Sequence, residues 1–243
     1  MTWARKPGPL SGEEITTSFN NTGMGTFQHS APGPAGRVVD VSNFCTRTIF
    51  SVDEHQPTPI NGSRELRCGE IMLIAKMFGQ SIDSSKVRIY RRKYFPLQPD
   101  NVTMAPNGNI YFNTGDFSED FSLEHDDNKK AHFIHEMVHV WQSQLGYPVM
   151  LRGAIRVGLP YEYDLHPTKR LKDYNMEAQG DIISDYYLLK HINKPHLMKM
   201  REKYGSPSFI PLYEQVLSDF LFNPSSQNNL PDQGKDNQDL WKG

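Results

Sequence analysis

Apolar positions fall into short blocks whose period changes along the chain, separated by stretches rich in turn formers. From Ala131 to Leu145 the only charged residue is Glu136, and Phe133, Ile134, Met137, Val138, Val140 and Trp141 interleave with polar positions, which predicts a buried helix. Asp126-Asp127-Asn128 supplies caps for its start, and Gly146 with Pro148 ends it. Met176, Ile182, Ile183, Tyr186 and Leu189 give the segment after Tyr174 a strong apolar side, the pattern of a second packing helix. A short, mostly buried helix is predicted over Glu70 to Phe78, ending at Gly79. Leu212, Val216, Leu217 and Phe220 predict one more over Phe209 to Phe222, with Pro211 near its first turn and Pro224 beyond its end. Val87 to Tyr90 and Ile110 to Phe112 switch to strand-like pattern, the second entered through the turn formers Pro106-Asn107-Gly108-Asn109. Tyr147 to Asp173, broken by Gly153, Gly158, Pro160 and Pro167, reads as a loop that rims a cleft. The ends differ from this middle. Residues 1–37 carry repeated breakers such as Pro7-Gly8-Pro9 and Pro32-Gly33-Pro34, and Ser225 to Gly243 has almost no apolar side chains. The expected organisation is a mainly helical α+β chain with a small β-sheet: a flexible arm over 1–37, a single folded domain over 38–223 and a polar flexible tail over 224–243.

The chemistry concentrates in His135-Glu136-Met137-Val138-His139. Histidines four apart project from one face of a helix, one turn above the other, so both imidazoles reach a single zinc ion without backbone distortion. Glu136, one residue after the first, is placed to take a proton from a water in the open position of such a site. The same letters also make an ordinary solvated helix face. Here the apolar flanks argue for burial, and buried ionisable groups need a partner that a divalent cation supplies. His132 lies seven before His139 and reads as a core histidine or one that braces the site. A third ligand is needed, and the chain offers one in a stripe of acids, Glu177, Asp181 and Asp185, that recur at every fourth position on one helix face; a solvated stripe is the plainer alternative. Glu177 would bind the ion and Asp181 would hold the outer N–H of a histidine. His166 is the runner-up ligand.

HEMVH followed on a later helix by Glu177-Ala178-Gln179-Gly180-Asp181 resembles the gluzincin pattern, HExxH then ExxxD, of thermolysin-like zinc metallopeptidases. The metzincin pattern fails, because it demands glycine and histidine where Gln142 and Leu145 stand. Over about residues 65–192, Gly69-Glu70-Ile71, Phe78-Gly79, Lys86-Val87-Arg88-Ile89, Leu97-Gln98-Pro99-Asp100, Pro106 to Phe112 and Phe133 to Gln142 together resemble the zinc-peptidase domains attached to Vgr-type spikes and Rhs-associated effectors of bacterial type VI secretion. The resemblance implies a zincin-like catalytic domain with Zn2+. It also implies an antibacterial effector, made in the bacterial cytoplasm and secreted into the target-cell periplasm, with a secretion spike and an immunity protein as partners. For an amide-bond hydrolase the expected substrate is a peptide, a protein or the peptide stem of peptidoglycan. A strand beside the metal helix would take substrate backbone as an added strand. Tyr161, Tyr163, His166, Tyr186, Tyr187, His191 and His196 are candidates for stabilising the oxyanion or donating a proton. A non-catalytic, zinc-stabilised adaptor carried with a spike is the rival class, and a closed four-ligand site would mark it.

Charge adds little to this. Twenty-six basic against 28 acidic side chains leave a formal net charge of -2, which gives no electrostatic case for nucleic acid or an anionic membrane. Arg88, Arg91, Arg92 and Lys93, interleaved with Tyr90, Tyr94 and Phe95, read as a charged edge strand or hairpin, or as a contact for an acidic partner. Cys45 and Cys68 lack CxxC spacing; one bridge or two thiols fit equally. No apolar stretch approaches membrane-spanning length, and no apolar segment follows Met1, so Sec export is not expected.

Overall fold

In this computed structural model, residues 15–19, 25–34, 38–40, 56–100, 102–153 and 162–232 are described. Three strands come first: β1 (Ile15–Phe19), β2 (Gly25–Pro32) and β3 (Val38–Asp40) form an antiparallel sheet in that order. Part of the expected flexible arm is therefore paired strand, despite its breakers. A second sheet orders β4 (Ser63–Glu65), β5 (Arg88–Arg91) and β6 (Ile110–Phe112), with β4 antiparallel and β6 parallel to β5.

The basic strand is thus central, which corrects the expected charged edge. Ile89 supplies the fully buried position, while Arg88 turns back to Ser63 and Arg91 donates to the Thr58 carbonyl at 2.9 Å. Arg88 thus holds β5 to β4 within the sheet and Arg91 ties it to the segment before β4, so neither serves to shield an open edge from aggregation. Between β4 and β5 runs α1 (Cys68–Phe78), which stops at Gly79 with φ of 56°, a left-handed angle that favours glycine. Its buried Glu70 accepts from the Arg64 guanidinium at 2.7 and 2.8 Å and from the Arg67 and Phe121 amides, so its charge is fully paired. Cys68 is disulfide-bonded; Cys45, the other cysteine of the chain, lies outside the described residues.

The long helix α2 (Asp127–Gln144) begins where its caps predict, with Asp126 accepting from the Asn128 amide at 2.9 Å. After the short α3 (Val149–Gly153) the chain reaches α4 (Met176–Tyr186), capped by Asn175 and continued as one π-turn over Tyr187–His191. Helices α2 and α4 pack face to face, and the core closes around them. Phe133 stacks on Phe121 beside Phe112, and Trp141 packs against Phe78 and Phe220. Three more helices follow: α5 (Arg201–Tyr204), α6 (Ile210–Val216) and α7 (Ser218–Phe222). The single helix expected over Phe209 to Phe222 is broken at Leu217. The break lets Tyr213 join Tyr163 and Tyr204 while Phe220 meets Phe78 and Trp141.

The flexible tail expected from residue 224 also differs from the structure. As far as Asp232 it is packed: Trp141 Nε1 donates to the Pro224 carbonyl at 2.7 Å, and Leu230 covers Tyr147, Val149 and Met176. Its polar side chains find backbone partners, which composition alone does not reveal. The described residues form a mixed α+β, mainly helical architecture, in which no helix is long and apolar enough to cross a membrane.

Candidate metal centre

Gly180 decides how closely the two central helices approach. A Cβ built there would lie 2.6 Å from His135 Cε1 and 2.8 Å from its Nδ1, so only glycine lets α4 rest against the flat of that ring. Contact at this point brings Glu177 over both histidines. Its Oε2 lies 3.4 Å from His135 Nε2 and 3.4 Å from His139 Nε2, and all the donor atoms fall within 4.8 Å of one another. A tetrahedral zinc with bonds of about 2.0–2.1 Å separates its ligand atoms by roughly 3.3–3.4 Å, so these distances fit that ion. Glu177 and His139 are fully buried.

The outer nitrogens are also held. His135 Nδ1 donates to Asp181 Oδ1 at 3.0 Å, and His139 Nδ1 meets Gln142 Oε1 at 2.9 Å. Both Nε2 atoms are left facing Glu177. Meanwhile His139 Nε2 and Glu136 Oε2 are buried with no hydrogen-bond partner. Orphaned polar atoms inside a protein are costly and rare, and a cation with its bound water would satisfy both kinds. Burial by itself lowers the His135 pKa, but the carboxylates of Asp181 and Glu177 outweigh it and raise the pKa to about 10. Positive charge, as proton or metal, is therefore favoured here.

The triad opens on one side into a cleft of about 320 Å³ lined by Thr103, Asn128, His132, Glu136, Ser184 and Lys199 among others. His132 keeps an exposed edge there, with Nε2 2.9 Å from Thr103 Oγ1 and 4.0 Å from Glu136 Oε1. Along one wall, an antiparallel bridge between Met104 and Tyr111 extends the sheet edge at β6 toward Thr103.

Of the residues proposed from sequence, the structure brings together His135, Glu136, His139, Glu177 and Asp181. It does not bring His166 to them: that residue is exposed, with Nδ1 2.8 Å from Thr168 Oγ1. The candidates for oxyanion support scatter. Tyr163 donates to Asp185 at 2.6 Å and touches the Tyr213 hydroxyl, and burial pushes its pKa far up, so it serves the core. Tyr186 donates to Glu214 at 3.2 Å, and Tyr187 is buried against His191, whose backbone closes the π-turn. His196 sits exposed on the turn Pro195–Leu197, and Tyr161 lies outside the described residues. What sequence reasoning missed was Gly180 and the pair Gln142 and Gln179. A glycine in the middle of a strongly periodic helix, and a glutamine one turn after His139, were the available signals.

Asp185, the last acid of the stripe, does something else. It is 1% exposed and accepts from the Lys199 and Met200 amides at 2.7 and 2.9 Å, pinning the turn that carries one cleft wall. Burial, partly countered by Tyr163 and those amides, raises its pKa from 3.8 to about 6. A carboxyl whose folded pKa is raised favours folding below its unfolded pKa, and that contribution disappears as pH rises through the folded value. Urea titrations between pH 4 and 7 should accordingly show stability falling with pH more steeply in wild type than in Asp185→Asn. Parallel curves for the two proteins would refute the assignment.

Together these features define a helix-borne His-His-Glu centre, open to a cleft, in an α+β domain. No family model matches the chain. Over 137 residues it is 47% identical to the type VI secretion system spike protein VgrG2b of Pseudomonas aeruginosa, a match covering 53% of this chain and 13% of the length of that protein. It is also similar to the solved effector domain of Pseudomonas aeruginosa VgrG2b, at 41% identity and a TM-score of 0.50, over 59% of this chain and 84% of that one. The chain belongs to the family of the VgrG2b effector domain.

Proposed function

We propose that this protein is a zinc-dependent hydrolase of peptide amide bonds that acts as an antibacterial effector of type VI secretion. One observation carries the enzymatic part: three ligand-type atoms lie within 4.8 Å of one another, the Glu177 oxygen at zinc-like separations from both imidazoles, beside a buried carboxylate oxygen that has no partner, at the floor of an open cleft. A purely structural zinc site is closed by four protein ligands, whereas an accessible floor suits a catalytic one. His135, His139 and Glu177 would hold the ion. Once bound, zinc supplies Lewis acidity that polarises a carbonyl and brings the pKa of water toward neutrality.

The chain's own residues do the rest. Glu136 Oε2 takes one proton from the attacking water as its oxygen forms the new bond to the amide carbon. When the carbon–nitrogen bond breaks, Glu136 returns that proton to the departing nitrogen, so the carboxylate ends as it began. Asp181 and Gln142 hold the two imidazoles by their outer nitrogens. His132 and Thr103 line the approach to Glu136 and fix its surroundings. The peptide amide could belong to a protein or to the stem of peptidoglycan.

Kinship with a spike-borne effector domain supports delivery by a type VI spike, with action in the target periplasm and a matching immunity protein in the producer. The test combines metal and toxicity. Purified wild type should retain about one zinc per chain and be toxic when directed to the bacterial periplasm, and Glu177→Ala should lose both properties. A Glu177→Ala chain that kept its zinc and its toxicity would overturn the ligand assignment; a zinc-loaded wild type inert in the periplasm would overturn the effector proposal.

A further inference from the structure

Two fully buried glutamines connect the metal helix to the segment after α7. Gln179 Nε2 donates to the carbonyls of Leu171 and Asn229 at 2.9 and 3.0 Å. Backbone carbonyls only accept, so that end of Gln179 must be the NH2 group, and its Oε1 must be the acceptor. Gln179 Oε1 lies 2.9 Å from the side-chain nitrogen of Gln142, which also donates to the Met176 carbonyl at 3.3 Å. Gln142 is therefore fixed in the same way, and its Oε1 faces His139 Nδ1 at 2.9 Å. An acceptor there requires that Nδ1 carry the hydrogen, leaving the lone pair of Nε2 turned toward Glu177.

One of the three carbonyls that set this chain of donors belongs to the C-terminal segment. That segment is itself anchored: Gln227 donates to the Leu145 carbonyl at 2.9 Å and the Asp232 amide to the Lys172 carbonyl at 3.0 Å, while Asn229 Nδ2 closes the segment on itself through the Asn223 carbonyl at 2.8 Å. We infer that residues 223–232 form a clasp which, through Asn229, Gln179 and Gln142, orients His139 for the metal, so that docking of the clasp and metal binding reinforce each other. Gln142 and Gln179 are positioning residues. The inference rests on the proposal that His139 is a metal ligand. The two histidines are then held by unlike devices, a carboxylate behind His135 and a relay of neutral amides behind His139. Only the second reaches a separate part of the chain.

Coupling of this kind is reciprocal, so zinc must tighten the clasp as much as the clasp favours zinc. In the full chain, zinc should slow hydrogen exchange at the Asn229, Leu230 and Asp232 amides, and the zinc-loaded protein should show a slowly exchanging His139 Nδ1–H proton by NMR. Gln142→Leu and Gln179→Leu should weaken zinc binding, measured by chelator competition, by about 10- to 100-fold. If a leucine variant does not fold, the two wild-type measurements decide alone. A wild-type chain that takes up no zinc overturns the metal proposal and this inference with it. Zinc uptake with unchanged exchange in the clasp, or with wild-type affinity in a folded Gln142→Leu chain, overturns the inference and leaves the metal proposal standing, whereas a proton on Nε2 leaves that atom no lone pair for zinc and overturns His139 as a ligand together with the inference.

Discussion

Glu136→Gln should retain zinc and lower amide hydrolysis by about 10²- to 10⁴-fold, the range a positioned proton-transfer group contributes. Glutamine has the size of glutamate but cannot accept and return a proton. Glu136 is 3% exposed, and its Oε2 has no hydrogen-bond partner, so the native protein keeps a carboxylate where burial penalises it. Replacing it with a neutral amide removes part of that penalty, and the folded chain should be as stable as wild type or more so. Loss of activity with equal or greater stability is the signature of a group retained for chemistry. Steady-state hydrolysis, zinc content and urea unfolding on the same preparation test it. Activity within tenfold of wild type would remove Glu136 from the proton-transfer step, and zinc lost along with activity would make it a structural residue instead.

Much of the centre was legible in the chain because its information is local. One helix carries both histidines and Glu136, its caps stand in the sequence, and helical periodicity alone puts His135 and His139 on one face. Glu177 and Asp181 were legible for the same reason, being one turn apart on a helix with a clear apolar side. The periodicity that found them does not say what each acid does. Asp185 continues the stripe, yet it lies roughly 12 Å along the helix axis from Glu177 at 1.5 Å per residue, and it binds the amides of Lys199 and Met200 instead.

What sequence did not show was set by contacts between distant segments. Tyr163 could be named as an aromatic near a cleft, but its commitment to Asp185 and Tyr213 depends on residues 22 and 50 positions away. The segment 224–232 looked disordered by composition, because its stabilising bonds come from backbone carbonyls and from glutamine and tryptophan side chains elsewhere. Likewise Arg88 and Arg91 suggested an edge strand, while the pairing of β5 on both sides is decided by β4 and β6. The same limit hid the break at Leu217, where two neighbouring turns bury Tyr213 and Phe220 in different aromatic groups.

Gly180→Ala should cost the protein its metal while changing the fold little. Inside a helix, alanine is better than glycine by about 1 kcal/mol, and at an open position the substitution would stabilise. Here the added methyl meets the His135 ring at 2.6 to 2.9 Å, far inside ordinary contact. The ring cannot swing clear without breaking its 3.0 Å bond to Asp181 and its approach to Glu177, and overpacking of this kind costs about 1–3 kcal/mol. The two effects on metal-free stability oppose and largely cancel. Zinc affinity has no such compensation, because the displaced atom is the proposed ligand itself, and the loss should be at least as large as the roughly 10- to 100-fold typical of removing a ligand's support. Thermal melts with and without zinc separate the two quantities. In wild type the ion should raise the melting temperature by an amount that grows with the logarithm of its concentration. In Gly180→Ala the metal-free melt should lie close to wild type and the zinc-dependent rise should be lost. A variant stabilised by zinc as strongly as wild type would show that His135 can move aside and still ligate, and that the close approach of α4 at Gly180 is not what assembles the centre.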